Sequence, residues 1–483
     1  MSPTLVISII IAYFLLLMLI AHFTSGKSDN ISFFTANRQS PWYLVAFGMI
    51  GASLSGVTFI SVPGEVGNTA FSYFQVVLGY LVGYLVIGTV LLPLYYKLNL
   101  ISIYAYLEER FGFYAYKTGA FFFLLSRIVG SSFRLFLVAG VLQLAIFDFY
   151  GWPFSITVAI TIALIWLYTF RGGIKTIVWT DTLQTLFMIS AVISSIYLVK
   201  DALDMSWLSM ISELEQSKMT KIFVWEGNSA QNFFKQFISG AFIAIVMTGL
   251  DQDMMQKNLT CKSLKDAQKN MFWFCIVLVI VNFLFLAMGA LLYLYAENMN
   301  IAIPLRSDDL YPMLAVEHFP IAAGVVFLLG IIAAAYSSAD SALTSLTTSF
   351  CVDFLGLGKS DRPLGQKIRI RVHLTFSVIL FLVVLAFKAI NDQSVITAVF
   401  VAAGYTYGPI LGLFAFGLFT KLSIKDNAVP IVCVAAPVMS YIINANSESW
   451  FSGYKFGFEI LVVNGLITFI GLWLLKTGKM EEA

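Results

Sequence analysis

The chain has 483 residues, of which 59% are hydrophobic and only 12% are charged. An average soluble protein carries about 25% charged residues, so this composition excludes an ordinary soluble domain. The net charge of +2 gives no indication of a nucleic-acid partner. Four cysteines without a CxxC pair and three histidines without an HExxH motif argue against a disulfide framework and a metal enzyme.

Apolar runs of about 20 residues, the length that crosses a bilayer, recur along the whole chain. They predict an all-α polytopic membrane protein. The first run has no basic region before it and no cleavage site after it, so we predict a retained helix. The thirteen predicted spans are residues 3–23, 43–64, 71–96, 118–147, 154–170, 177–199, 233–256, 271–296, 320–353, 370–390, 394–420, 427–444 and 456–475.

The loops between these spans differ in charge. Most of the 29 lysines and arginines fall in alternate loops, and cytoplasmic loops are the ones enriched in these residues. This pattern predicts a multi-pass protein of the cell membrane with its N-terminus outside and its C-terminus inside. The outer connections 200–232 and 297–319 are predicted to be solvated segments or gates. The inner segment KNLTCKSLKDAQKN (257–270), which begins at Lys257, is predicted to form a basic helix at the membrane surface.

Two spans contain residues that weaken a helix. The second span has GASLSG (51–56) followed by VPG (62–64), and the seventh has Gly240 and Gly249. Irregular backbone at membrane depth is tolerated where it is buried in protein or lines a cavity. The pair therefore predicts two broken helices, the first and sixth of a five-plus-five repeat, with freed carbonyls available to a cation. The alternative is that the glycines only allow close helix packing.

The ninth span contains the polar stretch AAAYSSADSALTS (333–345). Ala334, Ser337, Ser338 and Ser341 lie at i, i+3, i+4 and i+7, which places them on one helical face. Hydroxyls on one face can bind a sodium ion. The alternative is that each serine bonds to a carbonyl of its own helix.

Charged side chains within spans are costly and usually paired or functional. Asp181 and Asp340 are two such residues. Arg127 lies at a depth that differs from that of Asp340 by about 5 Å, which favours an ion pair between them as strongly as a cation bound at Asp340. Arg134 lies seven residues after Arg127 and faces the same way. Arginine suits a carboxylate because its donors match two oxygens, so either arginine could bind substrate or be structural.

Four segments together resemble the sodium/solute symporter family, which includes sugar, proline, sialic-acid and monocarboxylate transporters. SGVTFISVPGEVG (55–67) is similar to the family's broken first helix, closest to its carboxylate and anion branch. YTFRGGIKTIVWTDTLQ (168–184), GLDQDMMQKNLTCKSLKDAQK (249–269) and GYTYGPILGLFAFGLFTK (404–421) resemble its fourth-to-fifth, sixth and tenth helices. The resemblance covers nearly the whole chain and implies sodium-driven symport by alternating access.

The resemblance also implies a leucine-transporter-like fold. Residues 1–483 would form a single transport domain. An extra N-terminal helix (3–23) would precede two inverted repeats, with residues 43–256 holding the first repeat and the start of the second, and residues 233–420 the second. Two further helices (427–475) would follow.

The site residues that the resemblance implies are those matching the family's motifs. Sodium is the only metal implied. Asp340 stands where those relatives that bind a second sodium have a serine, which leaves open whether it faces a second cation or Arg127. The implied ligands of the first sodium are Gly51, Leu54, Ala334, Ser337 and Ser338. The matching positions of a second sodium are Asp181, Ser337, Asp340 and Ser341. The substrate candidates are Ser53, Ser55, Thr58, Phe74, Gln75, Arg127 and Arg134.

The predicted substrate is a small organic anion, most simply a carboxylate. Ser53 replaces the aspartate of proline-transporting relatives, so a partner for a substrate ammonium is missing. A sugar or polyol symporter is the alternative within the family. A channel would need a continuous polar pore, and an enzyme would need a catalytic constellation, which is not seen in the sequence. A nutrient sensor would be expected to carry a soluble signalling domain. A monomer is expected.

Overall fold

The structure, a computed structural model, describes residues 3–24, 36–172, 174–357, 365–390 and 394–479. This part of the chain is almost entirely helical, as its apolar composition predicts. The α-helices are α1 (Pro3–Thr24), α2 (Trp42–Ser53), α3 (Val62–Thr69), α4 (Tyr73–Val86), α5 (Leu92–Lys97), α6 (Ala105–Arg110), α7 (Phe113–Leu142), α8 (Phe154–Gly172), α9 (Ile174–Ala202), α10 (Trp207–Gln216), α11 (Phe233–Ala244), α12 (Gln252–Asn258), α13 (Leu264–Asn298), α14 (Leu310–Met313), α15 (Ile321–Ser349), α16 (Gly365–Ile390), α17 (Val395–Thr406), α18 (Gly408–Phe419), α19 (Val429–Ala445), α20 (Ser447–Trp450) and α21 (Ile460–Leu474).

Short segments with other hydrogen-bond periods connect or extend these helices. Two short strands, β1 (Leu422–Ile424) and β2 (Lys476–Lys479), pair antiparallel after α18 and α21. The π-helical segments are Val57–Ser61, Ile87–Leu91, Gln143–Phe147, Ile245–Gly249, Leu314–His318 and Phe350–Phe354. The 3₁₀ segments are Ala36–Arg38, Ala70–Ser72, Lys218–Thr220, Ser307–Asp309 and Asp426–Ala428.

All thirteen predicted spans coincide with helices of the described residues. By length and composition, 7 helices in the described part of the chain are suited to cross a membrane, or up to 9 when each bent pair is one span. The shorter apolar helices include Thr4–Ile20, Phe154–Trp166 and Ile460–Leu474. The all-α membrane fold is therefore confirmed, and the count of thirteen spans stays a prediction.

Both predicted helix breaks are present. α2 ends at Ser53, and Leu54 leaves the helical conformation with φ −76° and ψ 68°. The second break separates Phe233–Gly249 from Gln252–Asn258, with a bend of 68°. A third break, which the sequence did not indicate, bends Val395–Thr406 against Gly408–Phe419 by 48° at Tyr407. The three breaks give the molecule non-helical backbone inside its helical bundle.

Helix packing brings the first break to the ninth predicted span. α9 packs along both α2 and α15, and α2 also contacts α15. Elsewhere α4 crosses α11 closely, where a Cβ added at Gly240 would collide with the carbonyl of Val76. Small residues therefore serve both of the uses weighed from the sequence, since Gly240 permits a close crossing while GASLSG (51–56) contains a break.

The predicted single basic helix over 257–270 is wrong in its first half, whereas residues 264–270 are helical as predicted and carry the exposed Lys265 and Lys269. α12 ends at Asn258, a turn follows in which Ser40 forms a parallel bridge to Cys261, and α13 begins at Leu264. Lys257 belongs to α12 and its side chain is only 1% exposed. The cause is the bend before α12, which turns this short helix into the protein.

Candidate functional site

The first break frees a backbone oxygen. The Ser55 N–H donates to the carbonyl of Ser53 at 2.9 Å. In a continuous α-helix it would donate to the carbonyl four residues earlier, which is that of Gly51. The Gly51 carbonyl therefore loses its helical partner at the point where α2 meets α9. Gly51 is required here, because a Cβ would collide with Thr185 Oγ1.

The polar stretch of α15 is buried and faces this region. Ala334, Ser337 and Ser338 are all buried. The Ser337 hydroxyl donates to Asp181 Oδ1 at 2.6 Å, and Ser338 Oγ is buried without a hydrogen-bond partner among the described residues. The alternative that these two serines bond to carbonyls of their own helix is therefore wrong. A buried hydroxyl without a partner is costly, so Ser338 Oγ is a candidate ligand for a cation.

A lysine ammonium occupies the predicted second sodium position. Lys257 Nζ lies 2.7 Å from Asp181 Oδ2 and 2.7 Å from Ser341 Oγ. Asp181 and Ser341 are buried. Asp340 is also buried, and its Oδ1 accepts a hydrogen bond from the Ser341 N–H at 2.5 Å. Of the four predicted residues, Asp181 and Ser341 thus bind a cation that belongs to the protein, Ser337 bonds to Asp181, and Asp340 bonds to the backbone of Ser341.

The predicted ion pair between Arg127 and Asp340 is wrong. Arg127 instead forms an ion pair with Asp253, and its Nη1 lies 3.7 Å from Asp251 Oδ2. The hydroxyl of Tyr407 donates to Asp251 Oδ2 at 2.7 Å. Depth along two helices is not sufficient to predict a pair, because carboxylates from a third helix, α12, lie nearer to Arg127.

A cavity lies between the broken helices, beside the Arg127 cluster. Of the seven predicted substrate residues, five line it: Ser53, Ser55, Thr58, Arg127 and Arg134. The cavity combines hydroxyls, aromatic rings and guanidinium groups, a mixture that suits a small polar solute bearing a negative charge.

The two arginines of α7 differ in their partners. Arg127 is held by two carboxylates, whereas Arg134 has no ion pair or side-chain hydrogen bond among the described residues. Its Nε is buried without a partner. Arg134 therefore presents to the cavity a guanidinium that forms no ion pair with the described residues.

Phe74 and Gln75 do not line the cavity. Phe74 packs edge-on against Phe283, with ring centroids 5.5 Å apart. Gln75 is buried and binds backbone, donating to the carbonyls of Ser72 and Gln231 and accepting from the Val224 N–H. It thus anchors the connection between α10 and α11 to α4.

Sequence reasoning missed several lining residues. Tyr73, Tyr80 and Tyr84 lie at i, i+7 and i+11 of one helix, so their shared face was readable from their spacing. Thr248 directly precedes Gly249 at the second break, which was also a usable signal. Other lining residues that were not predicted are Met254, Asn282, Ile396 and Phe400.

Broken helices that meet at a buried, hydroxyl-lined cavity define a membrane transporter. The sodium:solute symporter family model matches residues 33–428. This chain belongs to the sodium:solute symporter family, and it is a sodium-coupled symporter of a small solute.

Several relatives and solved structures are similar to this chain. The sodium/sialic acid symporter NanT of Aliivibrio fischeri is 24% identical, covering 92% of this chain and 89% of its own length. The human sodium-coupled monocarboxylate transporter 2 is also 24% identical, covering 81% of this chain and 64% of its own. A substrate-bound, outward-open Na⁺-coupled sialic acid symporter superposes with a TM-score of 0.83 at 19% identity, covering 99% of both chains. The nucleobase-cation-symport-1 family transporter Mhp1 superposes with a TM-score of 0.57. These likenesses confirm the leucine-transporter-like fold.

Proposed function

We propose that this symporter imports a small organic anion, most simply a carboxylate, and that Arg134 binds the carboxylate. The observation that carries the proposal is the guanidinium of Arg134, which faces the cavity and forms no ion pair within the part of the chain that the structure describes. A buried charge is stable only when it is paired, so the cavity lacks one negative charge. A carboxylate would supply it through two parallel hydrogen bonds.

The names of the relatives support an anionic substrate. Sialic acid and monocarboxylates, which appear in the names of the similar symporters, both carry a carboxylate. The cavity also contains polar groups that suit substrate hydroxyls, among them Ser53, Ser55, Thr58 and Asn282.

Sodium is proposed to bind where α2 ends and α15 passes. Its ligands would be the carbonyls of Gly51, Leu54 and Ala334 and the hydroxyls of Ser337 and Ser338. Two observations support this assignment: the Gly51 carbonyl has lost its helical partner, and Ser338 Oγ is buried without one. A hard cation with oxygen ligands would satisfy both.

The proposed cycle couples the two sites through the broken helices. Sodium binding favours the outward-open state and completes the substrate cavity, and rocking of the bundle then releases both inward. The protein is proposed to lie in the cell membrane as a monomer with its N-terminus outside.

Uptake into proteoliposomes with an imposed sodium gradient tests the substrate. We expect accumulation of a carboxylate from a panel of acids and neutral sugars, and competition only by other carboxylates. Losing hydrogen bonds to a charged group costs about 1.5–3 kcal/mol, so Arg134→Gln is expected to raise the KM by about 10- to 100-fold.

Arg134→Lys is the matched variant, because it keeps the positive charge but not the paired donors. Its KM should lie between that of the native protein and that of Arg134→Gln. Accumulation of a neutral sugar, with no competition by carboxylates and an unchanged KM in Arg134→Gln, would show that the solute is not an anion.

A further inference from the structure

One cation of the protein lies deep inside the bundle beside the proposed sodium site. The Lys257 ammonium is held by Asp181 Oδ2 and Ser341 Oγ, each at 2.7 Å. The side chains of Lys257 and Asp181 are 1% and 0% exposed. Lys257 comes from α12, Asp181 from α9 and Ser341 from α15. The ammonium thus joins three helices that a rocking bundle has to move relative to one another.

We propose that the Lys257 ammonium is a tethered cation that takes the place of a second sodium ion, so that transport is coupled to one sodium per cycle. The inference rests on the proposed sodium site at Ser337 and Ser338. It concerns the number of sodium ions and is independent of the identity of the substrate.

The surroundings of the ammonium are those of a monovalent cation site. An ammonium offers three donors and no acceptor, so it requires oxygens around it, as sodium does. Here it finds one carboxylate oxygen, of Asp181, and one hydroxyl oxygen, of Ser341. If the ammonium were removed, this carboxylate and this hydroxyl would remain in a buried place.

The ammonium is also connected to the proposed sodium site through hydrogen bonds. Ser337, a proposed sodium ligand, donates to Asp181 Oδ1 at 2.6 Å, and the other oxygen of that carboxylate binds Lys257. Loss of sodium therefore changes the environment of Asp181 and the hold on Lys257. Because Lys257 lies on α12, the short helix after the 68° bend, the sodium site is coupled to the inner part of the broken helix.

The test counts sodium ions bound to the purified full-length protein by equilibrium binding of radioactive sodium. We expect one ion per native chain and one in Lys257→Arg, which keeps a cation in place. Lys257→Ala should bind two, because sodium replaces the ammonium. Lys257→Ala combined with Asp181→Asn should return to one. In sodium-dependent uptake, the Hill coefficient should be about one in the native protein and clearly above one in Lys257→Ala.

Two ions on the native chain, or one on folded Lys257→Ala, would overturn the inference. Failure of Lys257→Ala to fold at high sodium, checked by size-exclusion chromatography, would also overturn it, since sodium would then not replace the ammonium. Absence of saturable sodium binding to the native protein would instead contradict the proposed sodium site itself. The two failures are therefore distinguishable.

Discussion

Pairs of neighbouring side chains with the same chemistry have different partners in this protein. Arg127 is bound by Asp253 and Asp251, while Arg134 on the same helix faces the cavity and forms no ion pair with the described residues. Ser337 is bonded to Asp181, while the adjacent Ser338 hydroxyl is buried and has no hydrogen-bond partner in the described part of the chain. The two members of such a pair cannot be distinguished by residue type, but they can be distinguished by their partners. The member with unsatisfied polar atoms is the better candidate for binding a transported species.

Substitution of Ser338 tests the proposed sodium ligand. Loss of a polar contact to a charged species costs about 1.5–3 kcal/mol, so Ser338→Ala should raise the sodium concentration for half-maximal uptake by about 10- to 100-fold. Ser345→Ala is the matched control, because Ser345 lies on the same helix and its hydroxyl donates to the Ala342 carbonyl of that helix. It should change the half-maximal concentration by less than about twofold. Equal shifts in both variants would contradict the assignment.

At the scale of elements, composition and glycine spacing predicted most of the fold. Apolar runs predicted the positions of the helices. GASLSG (51–56) and Gly249 predicted two breaks, because glycine and small hydroxyl residues destabilise a helix and can be read directly from the sequence. The bend at Tyr407 lacked such a signal except Gly408–Pro409, which was read as part of a continuous helix. A proline at the start of a helix is compatible with either interpretation.

The predictions that failed concerned the direction in which an element turns. Lys257 was predicted to begin a basic helix at the membrane surface, but the 68° bend before α12 directs it into the bundle. The same bend brings Asp253 to Arg127, which displaced the predicted pair with Asp340. Gln75 was predicted to line the cavity, but Tyr73, two residues earlier on the same helix, lines it instead. Hydropathy gives depth in the membrane, and it does not give rotation about a helix axis.

A close crossing of two helices provides a stability prediction. A Cβ at Gly240 would collide with the backbone carbonyl of Val76, which cannot move aside as a side chain would. Gly240→Ala should therefore lower the free energy of unfolding by about 1–3 kcal/mol. Gly140→Ala is the same change at a helical glycine with nothing within 4 Å of the added atom. It should be neutral or slightly stabilising, because alanine favours a helix.

Thermal unfolding of the two variants in detergent, followed by tryptophan fluorescence, would measure the difference. The melting temperature is expected to fall for Gly240→Ala and to stay level or rise for Gly140→Ala. An unchanged melting temperature for Gly240→Ala would show that α4 and α11 separate without cost, in conflict with the close crossing.

At the scale of the whole molecule, two sets of hydrogen bonds and ion pairs connect the broken helices to the rest of the bundle. On one side Tyr293 donates to the Gly64 carbonyl at 2.6 Å, and Asp308 accepts from the Val395 N–H at 2.8 Å. On the other side Tyr407 and Arg127 converge on Asp251. Each set joins a broken helix to another part of the bundle. Alternating access requires that the contacts of one set break while those of the other set remain formed. In the proposed orientation, the set at Asp251 lies on the inner side.

Labelling of single introduced cysteines tests this orientation. The four native cysteines are buried, so an exposed new cysteine should dominate the reaction with a membrane-impermeant maleimide. Ser212, exposed on α10, lies in a connection predicted to be outer, and Thr477, exposed on β2, lies near the C-terminus predicted to be inner. In intact cells we expect labelling of Ser212→Cys only, and in lysed cells labelling of both, because the excess of lysine and arginine fixes the inner loops. Labelling of Thr477→Cys in intact cells would reverse the orientation. The contacts at Asp251 and Lys257 would then control entry of the substrate from outside. The contacts at Gly64 and Asp308 would control its release to the inside.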